Sequence, residues 1–362
     1  MHFISTKENL LKAISIVSRA TSKLQKTVLE SILFESENGK IILKATDISL
    51  SIETCLDAEI IEEGKFAISA RYLIDIISKF PNSDITIKSI DDSTVEIVCM
   101  NSRVKFMCVD ADAFPEFPEK ITGASAKISE NKIKRMLNDT LFAVSTSEEK
   151  PLLTGIHFEV ADNNIEIAAL DGFRMAVRKE EIVCEENMDF VLPSRAAREI
   201  LHVANETEET VKFAYLDNMV MFEFKETIIY TRLLEGEYVN YKKLIPGNQN
   251  IEMLCDKEAF YSAVERAAVF AREKNNVIKF RINNSVLEIT SESEIGNINE
   301  KLPIIQNGED LDIVFNSKNI LEVLRVIPDE EIKMSFSSPL SPSIITGTVS
   351  PGYLYLVLPL NL

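Results

Sequence analysis

The sequence predicts an α+β chain made of three tandem copies of one domain of about 120 residues. Each copy pairs two similar halves, with helices on one side and sheets on the other. Three observations carry this. Strand-like runs and amphipathic helices recur in one order three times along the 362 residues. The second helix of each copy starts near Arg71, Arg195 and Lys318, offsets of 124 and 123 residues. Each of these helices follows a strand ending in a small or polar residue: Ile68-Ser69-Ala70, Leu192-Pro193-Ser194 and Phe315-Asn316-Ser317. The copies are placed at 1–122, 123–248 and 249–362.

In the first copy a short strand from Phe3 leads into a helix with Leu10, Leu11, Ile14 and Val17 at three-to-four spacing. Thr6 is its expected cap, with Asn9 in the third position. Strands are expected at 29–34, 41–45, 50–54 and 65–69, then a helix at 71–80 (Leu73, Ile76, Ile77, Phe80) stopped by Pro81. Strands at 85–88, 94–100 and 102–109 finish the copy before the irregular run Phe114-Pro115-Glu116-Phe117-Pro118.

The second copy repeats the order: a strand at 126–128, a helix at 131–140, and strands at 155–160 and 165–170. A hairpin follows at Asp171-Gly172, since glycine reaches positive φ cheaply and aspartate tolerates it. A strand at 190–193, a helix at 194–203 and strands at 211–215, 219–225 and 227–233 complete it. The third copy has a strand at 251–254, a helix at 256–272, strands at 277–283, 286–291 and 311–315, and a helix at 317–326. Strands at 332–335, 343–348 and 353–358 end the chain.

Chemistry is scarce. No phosphate-binding glycine loop, H-E-x-x-H or G-x-S-x-G motif occurs, and paired carboxylates such as Glu148-Glu149 lie in polar stretches that read as solvated surface. Five cysteines without a C-x-x-C pair read as reduced, mostly buried thiols. With three scattered histidines, neither a metal site nor a cofactor is expected, and no catalytic residue is assigned. The opening residues lack a basic-then-apolar leader and no apolar run is long enough to span a bilayer, so a cytoplasmic protein is expected. The net charge of −18 argues, taken whole, against nucleic acid. Its distribution argues otherwise: the six helical segments carry about +8, leaving about −26 for the rest.

Several stretches stand in a familiar order: Leu10-Leu11-Lys12; Ala45-Thr46-Asp47 with the alternating residues 48–52; Ser69-Ala70-Arg71; Phe114-Pro115; and Asp171-Gly172-Phe173-Arg174-Met175-Ala176-Val177. Leu192-Pro193-Ser194-Arg195, Ser291-Glu292-Ser293-Glu294-Ile295-Gly296 and Leu358-Pro359-Leu360 continue it. Over its whole length the chain resembles the bacterial DNA polymerase III beta subunits, the sliding clamps. The resemblance implies three DNA-clamp domains, each of two βαβββ halves, and a ring-shaped head-to-tail homodimer with helices lining a central hole and sheets on the outer rim. It implies a non-catalytic processivity factor that encircles duplex DNA without reading sequence. Its partners would be the polymerase III alpha subunit, the clamp loader and other proteins carrying a clamp-binding peptide. The alternative is an acidic repeat scaffold that binds proteins and not DNA.

The same resemblance implies site residues. The DNA-facing set is Lys12, Arg19, Lys23, Lys26, Arg71, Lys79, Lys134, Arg135, Arg195, Arg198 and Arg272. A partner-peptide groove would be lined by Leu153, Leu170, Gly172, Phe173, Arg174 and Met175, by Val239, Lys243 and Leu244, by Leu340 and Pro342, and by Leu358, Pro359, Leu360 and Leu362. The dimer seam would set Phe106 and Cys108 against Val269 and Phe270 of a second copy. Leu170, Phe173, Val239 and Lys243 replace the family's usual Thr, His, Pro and Arg, and Asn361 stands where Arg is frequent, which implies a greasier and less basic groove. Glu148 and Glu149 weaken a DNA role for the loop 146–150.

Overall fold

Three of the helices begin where a side chain accepts one of their free amides, and the helices bury a stripe of small and aliphatic residues. In the computed structural model, which describes residues 1–22, 28–349 and 352–361 apart from the Lys274 side chain, Thr6 Oγ1 accepts the Asn9 amide at 3.2 Å, as its spacing predicts. The helix it caps, α1 (Lys7–Val17), buries Leu10, Ala13, Ile14 and Val17. Helix α2 (Ala70–Lys79) buries Ala70, Leu73 and Ile77 and ends two residues before Pro81. Helices α3 (Glu130–Thr140) and α4 (Ser194–Val203) serve the middle copy. In the last copy, Asp256 caps α5 (Lys257–Ala271) and Asn316 caps α6 (Ser317–Val326).

The chain forms two compact units, Met1–Asn131 with Arg198–Leu233, and Lys132–Ala197 with Leu234–Leu362. The division cuts the middle copy because its two halves pair with different neighbours. In unit 1, Thr227–Arg232 of the middle copy runs antiparallel to Leu50–Leu56 of the first, with Thr231 opposite Leu50. In unit 2, Arg174–Glu181 of the middle copy runs antiparallel to Tyr353–Val357 of the last, with Arg174 opposite Val357. Strand sharing of this kind removes two sheet edges that would otherwise be open.

Unit 1 thus holds a continuous sheet in the order Ala124–Ser129, Thr210–Leu216, Met219–Glu223, Thr227–Arg232, Leu50–Leu56, Lys40–Thr46, Ser31–Glu37, Lys65–Ser69. A five-stranded sheet runs Glu59–Glu62, His2–Thr6, Asp84–Asp91, Thr94–Cys99, Ser102–Met107. Unit 2 repeats the plan: Met188–Pro193, Gly155–Ala161, Asn164–Leu170, Arg174–Glu181, Tyr353–Val357, Ser343–Gly347, Glu331–Phe336, Ile251–Asp256, Ile305–Asn307. Its four-stranded sheet runs Gly296–Pro303, Val286–Ser293, Val277–Asn283, Leu311–Asn316.

Aromatic rings fill the space between helices and sheets. Phe34 lies between Phe3 and Phe66, with ring centroids 6.2 and 4.8 Å away, in unit 1. In unit 2, Phe280 meets Phe260 and Phe315 edge-on at 5.6 and 5.3 Å. Such pairs add to the area term by favourable quadrupole geometry.

Candidate functional site

The Asp171-Gly172 corner is a hairpin turn held by its own aspartate. Asp171 Oδ1 accepts the amides of Phe173 and Arg174 at 2.9 and 3.1 Å, and Gly172 takes φ +94°. Leu170 then faces Met175 directly across the hairpin. Alternation puts Leu170, Ala168, Met175 and Val177 on one face of the sheet, where they form an apolar cluster with Leu153, Val191 and Leu356. Met175 is only 1% exposed.

The chain's last residues run along this cluster. The Leu358 amide donates to the Phe173 carbonyl at 2.9 Å, the Leu360 amide donates to Val314 at 2.8 Å, and Leu358 packs on the cluster. Leu358, Pro359 and Leu360 are half-buried. Ser343 pairs with Val357, which brings the half-buried Pro342 alongside. Large apolar side chains remain in solvent at the flanks: Phe173 at 64% exposed, Leu340 at 67%, and Val239 and Leu244. Lys243 is exposed beside them. A buried apolar floor thus lies beside exposed apolar shoulders. Leu362 lies outside the described residues.

Residues 238–242 belong to this site although the sequence reading did not single out Tyr238 and Tyr241. Tyr238 stacks on His157 at 5.0 Å, and Tyr241 donates to Glu166 at 2.6 Å. Lys242 reaches Glu159 at 2.6 Å, and His157 meets Asp189 at 3.0 Å. Burial holds both tyrosine hydroxyls well above their ordinary range. The signal was in the sequence: Tyr238-Val239-Asn240-Tyr241 repeats the spacing of Phe114 and Phe117 in the first copy.

Arg174 departs from the expected lining. Its neighbour Met175 faces the floor, so strand alternation turns the guanidinium the other way, toward the helices. There it meets Asp171 at 2.9 Å, the Phe142 carbonyl at 2.9 Å, and Glu322 of α6.

Among the described residues, most of the basic residues expected to face DNA are exposed on the helices or in the turns that follow them. Lys12 is 69% exposed, with Glu226 4.0 Å away, and Arg19 pairs with Glu199. Arg71 and Lys79 are exposed on α2, opposite its buried stripe, and Lys79 donates to the Asp75 carbonyl at 3.0 Å. Arg135 on α3, Arg195 and Arg198 on α4, and Arg272 after α5 are exposed, while Lys134 is half-buried. Lys23 and Lys26 lie outside the described residues.

The residues expected at the dimer seam lie on or just after an edge strand in unit 1 and on α5 in unit 2. Phe106 is half-buried on Ser102–Met107, an outermost strand of its sheet, and burial pushes the adjacent Cys108 thiol up to about 11. In unit 2, Val269 is exposed on α5, and Phe270 is half-buried against Gly296, where a Cβ would come within 3.2 Å of its ring. Gly296 begins Gly296–Pro303, an outermost strand of the four-stranded sheet.

Comparison with known proteins covers the whole chain. The DNA polymerase III beta subunit models match as N-terminal domain over residues 1–118, central domain over 127–240 and C-terminal domain over 242–361. The beta sliding clamps of Staphylococcus epidermidis and Staphylococcus aureus are each 31% identical, over 99% of this chain and 97% of theirs. Among solved structures, the DNA polymerase sliding clamp of Bacillus subtilis superposes with a TM-score of 0.95 at 27% identity, covering 100% of this chain and 99% of that one. The putative DNA polymerase III beta subunit of Eubacterium rectale gives 0.94 at 29% identity, with both chains fully covered. With three consecutive domain matches and relatives aligned end to end, the chain belongs to the DNA polymerase III beta subunit family, the bacterial sliding clamps.

Proposed function

We propose that two copies of this chain close head to tail into a ring around duplex DNA, and that the groove of unit 2 tethers the replicative polymerase, the clamp loader and repair proteins to it. The chain is a sliding clamp and a non-catalytic subunit by family, and a scaffold indifferent to DNA is not favoured. In this reading the repeats run 1–122, 123–248 and 249–362, and Phe106 and Cys108 meet Val269 and Phe270 of the second copy. A heterologous contact that closes after two copies gives a ring.

The charge pattern supports the DNA side. Exposed lysines and arginines on the helices meet phosphates loosely and often through water, so they attract the duplex without fixing its register. The acidic remainder of the surface repels it. No helix among the described residues is long and apolar enough to cross a membrane.

The observation that carries the tethering role is the floor of Leu170, Met175 and Leu356 flanked by exposed Phe173 and Leu340. A peptide with two or three aliphatic or aromatic anchors would pack over that floor and bury its exposed flanks, each anchor contributing about 1.5–3 kcal/mol before ordering costs. Met175→Ala and Leu360→Ser should each weaken binding of such a peptide at least about tenfold while the dimer persists. Leu360 is only half-buried, so its variant separates loss of the groove from loss of the core. Undiminished affinity in both variants would refute the groove.

A further inference from the structure

Helix α6 carries a carboxylate beneath the groove. Glu322 pairs with the Arg174 guanidinium, which is 9% exposed and also lies over the Phe142 ring at 5.7 Å. Taking a guanidinium out of water is costly, and the cost is offset only when its partners are well placed. Position 174 is on the helix-facing side of its strand, where an aliphatic side chain would carry no such cost.

Unit 1 shows that the hairpin itself does not need the arginine. There Asp47 Oδ1 accepts the amides of Ser49 and Leu50 at 3.0 and 2.9 Å, as Asp171 does for Phe173 and Arg174. Ile48 at φ +82° stands in the place of Gly172 at φ +94°. The buried Leu50 occupies the place of Arg174, opposite Thr231 as Arg174 is opposite Val357.

The helix carboxylate recurs as well. Glu199 is the sixth residue of α4, as Glu322 is of α6. Its arginine comes from elsewhere: Arg19, in the turn Ser18–Ala20 after α1, 42% exposed. In unit 2 the matching turn after α3, Leu141–Ala143, has Phe142 at that place. The arginine that neutralises the helix carboxylate has moved from the helix layer to the hairpin, and it has done so in the unit that carries the groove.

We infer that Glu322 and Arg174 are positioning residues for the partner peptide: their ion pair ties the Asp171–Arg174 corner to α6 and so fixes the groove wall made by Phe173 and Leu358. The inference rests on the groove reading above. Breaking the pair loosens the wall without undoing the turn, because Asp171 still holds the Phe173 and Arg174 amides. Loss of preorganisation then appears as lost affinity.

The test uses the full chain and a fluorescein-labelled decapeptide with leucine and phenylalanine anchors, followed by anisotropy. Arg174→Leu, which copies position 50, and Glu322→Gln should each weaken binding about tenfold, and the double variant should bind no worse than Arg174→Leu alone. Glu322→Gln keeps the shape of the side chain and carries the test if Arg174→Leu does not fold. Glu199→Gln cuts the matching pair in unit 1 and should lower the melting temperature comparably while leaving peptide affinity within about twofold. Unchanged affinity in both unit 2 variants, with the wild type binding, would overturn this inference alone. An equal loss in Glu199→Gln would overturn it too, since general softening would then explain the effect. A wild type that does not bind would overturn the groove reading and this inference with it.

Discussion

Thr54 and Thr227 share a side-chain hydrogen bond of 2.7 Å across the seam between Leu50–Leu56 and Thr227–Arg232, and both are buried. At the matching step of unit 2, Arg178 faces Tyr353. The two shared sheets are therefore closed by different chemistry, a small hydroxyl pair in one and a large buried cation beside a tyrosine in the other. Thr54→Val would leave the Thr227 hydroxyl without this partner and should cost about 1–2 kcal/mol in urea unfolding. Adding Thr227→Val should recover part of that cost, giving a coupling on the order of 1 kcal/mol. Strict additivity would mean that the bond contributes nothing.

In unit 2 the pH dependence should come from Asp139. Its carboxylate is buried with Arg178 Nε 3.7 Å away, and burial outweighs the guanidinium, pushing the carboxyl up to about 6 from 3.8. The folded chain thus holds this proton more tightly than the unfolded chain does. The stabilisation is fully present below the unfolded value and is lost as pH rises through about 6. The stability of the wild type relative to Asp139→Asn should therefore grow as pH falls from about 7 to about 4, by no more than about 3 kcal/mol. A difference that is flat with pH, or that grows toward alkaline pH, would contradict this assignment.

The strand edges at Phe106 and Gly296 should govern assembly. Val269→Asp would bring a charge to an apolar contact and should shift the sedimentation of the protein from two chains to one, with the helical signal unchanged. A variant that sediments as the wild type does would remove Val269 from the seam.

Helices and central strands were legible in the sequence because burial imposes a period. Leu73 and Ile77 on α2, or Ile165, Ile167 and Ala169 on Asn164–Leu170, announce their element and its buried face. Some edge strands were not, although those at Lys65–Ser69 and Ser102–Met107 were. Gly296–Pro303 exposes every second residue and only half-buries the others, and Glu59–Glu62 half-buries Ile60 alone, so neither carries an apolar face. Strand sharing between copies was also silent, since no local pattern specifies that Leu50 will lie opposite Thr231. At the groove, the residue family was legible through Asp171-Gly172 and Leu358-Pro359-Leu360, whereas the inward turn of Arg174 and the stacking of Tyr238 on His157 depend on contacts far along the chain.

Topological retention on DNA tests the ring most directly. Loaded onto nicked circular DNA by the clamp loader, the wild-type protein should co-elute with the circle through gel filtration at salt high enough to screen phosphate contacts. Cutting the circle once should release it. Loss from the intact circle under those conditions, or persistence on the linear product, would contradict a closed ring.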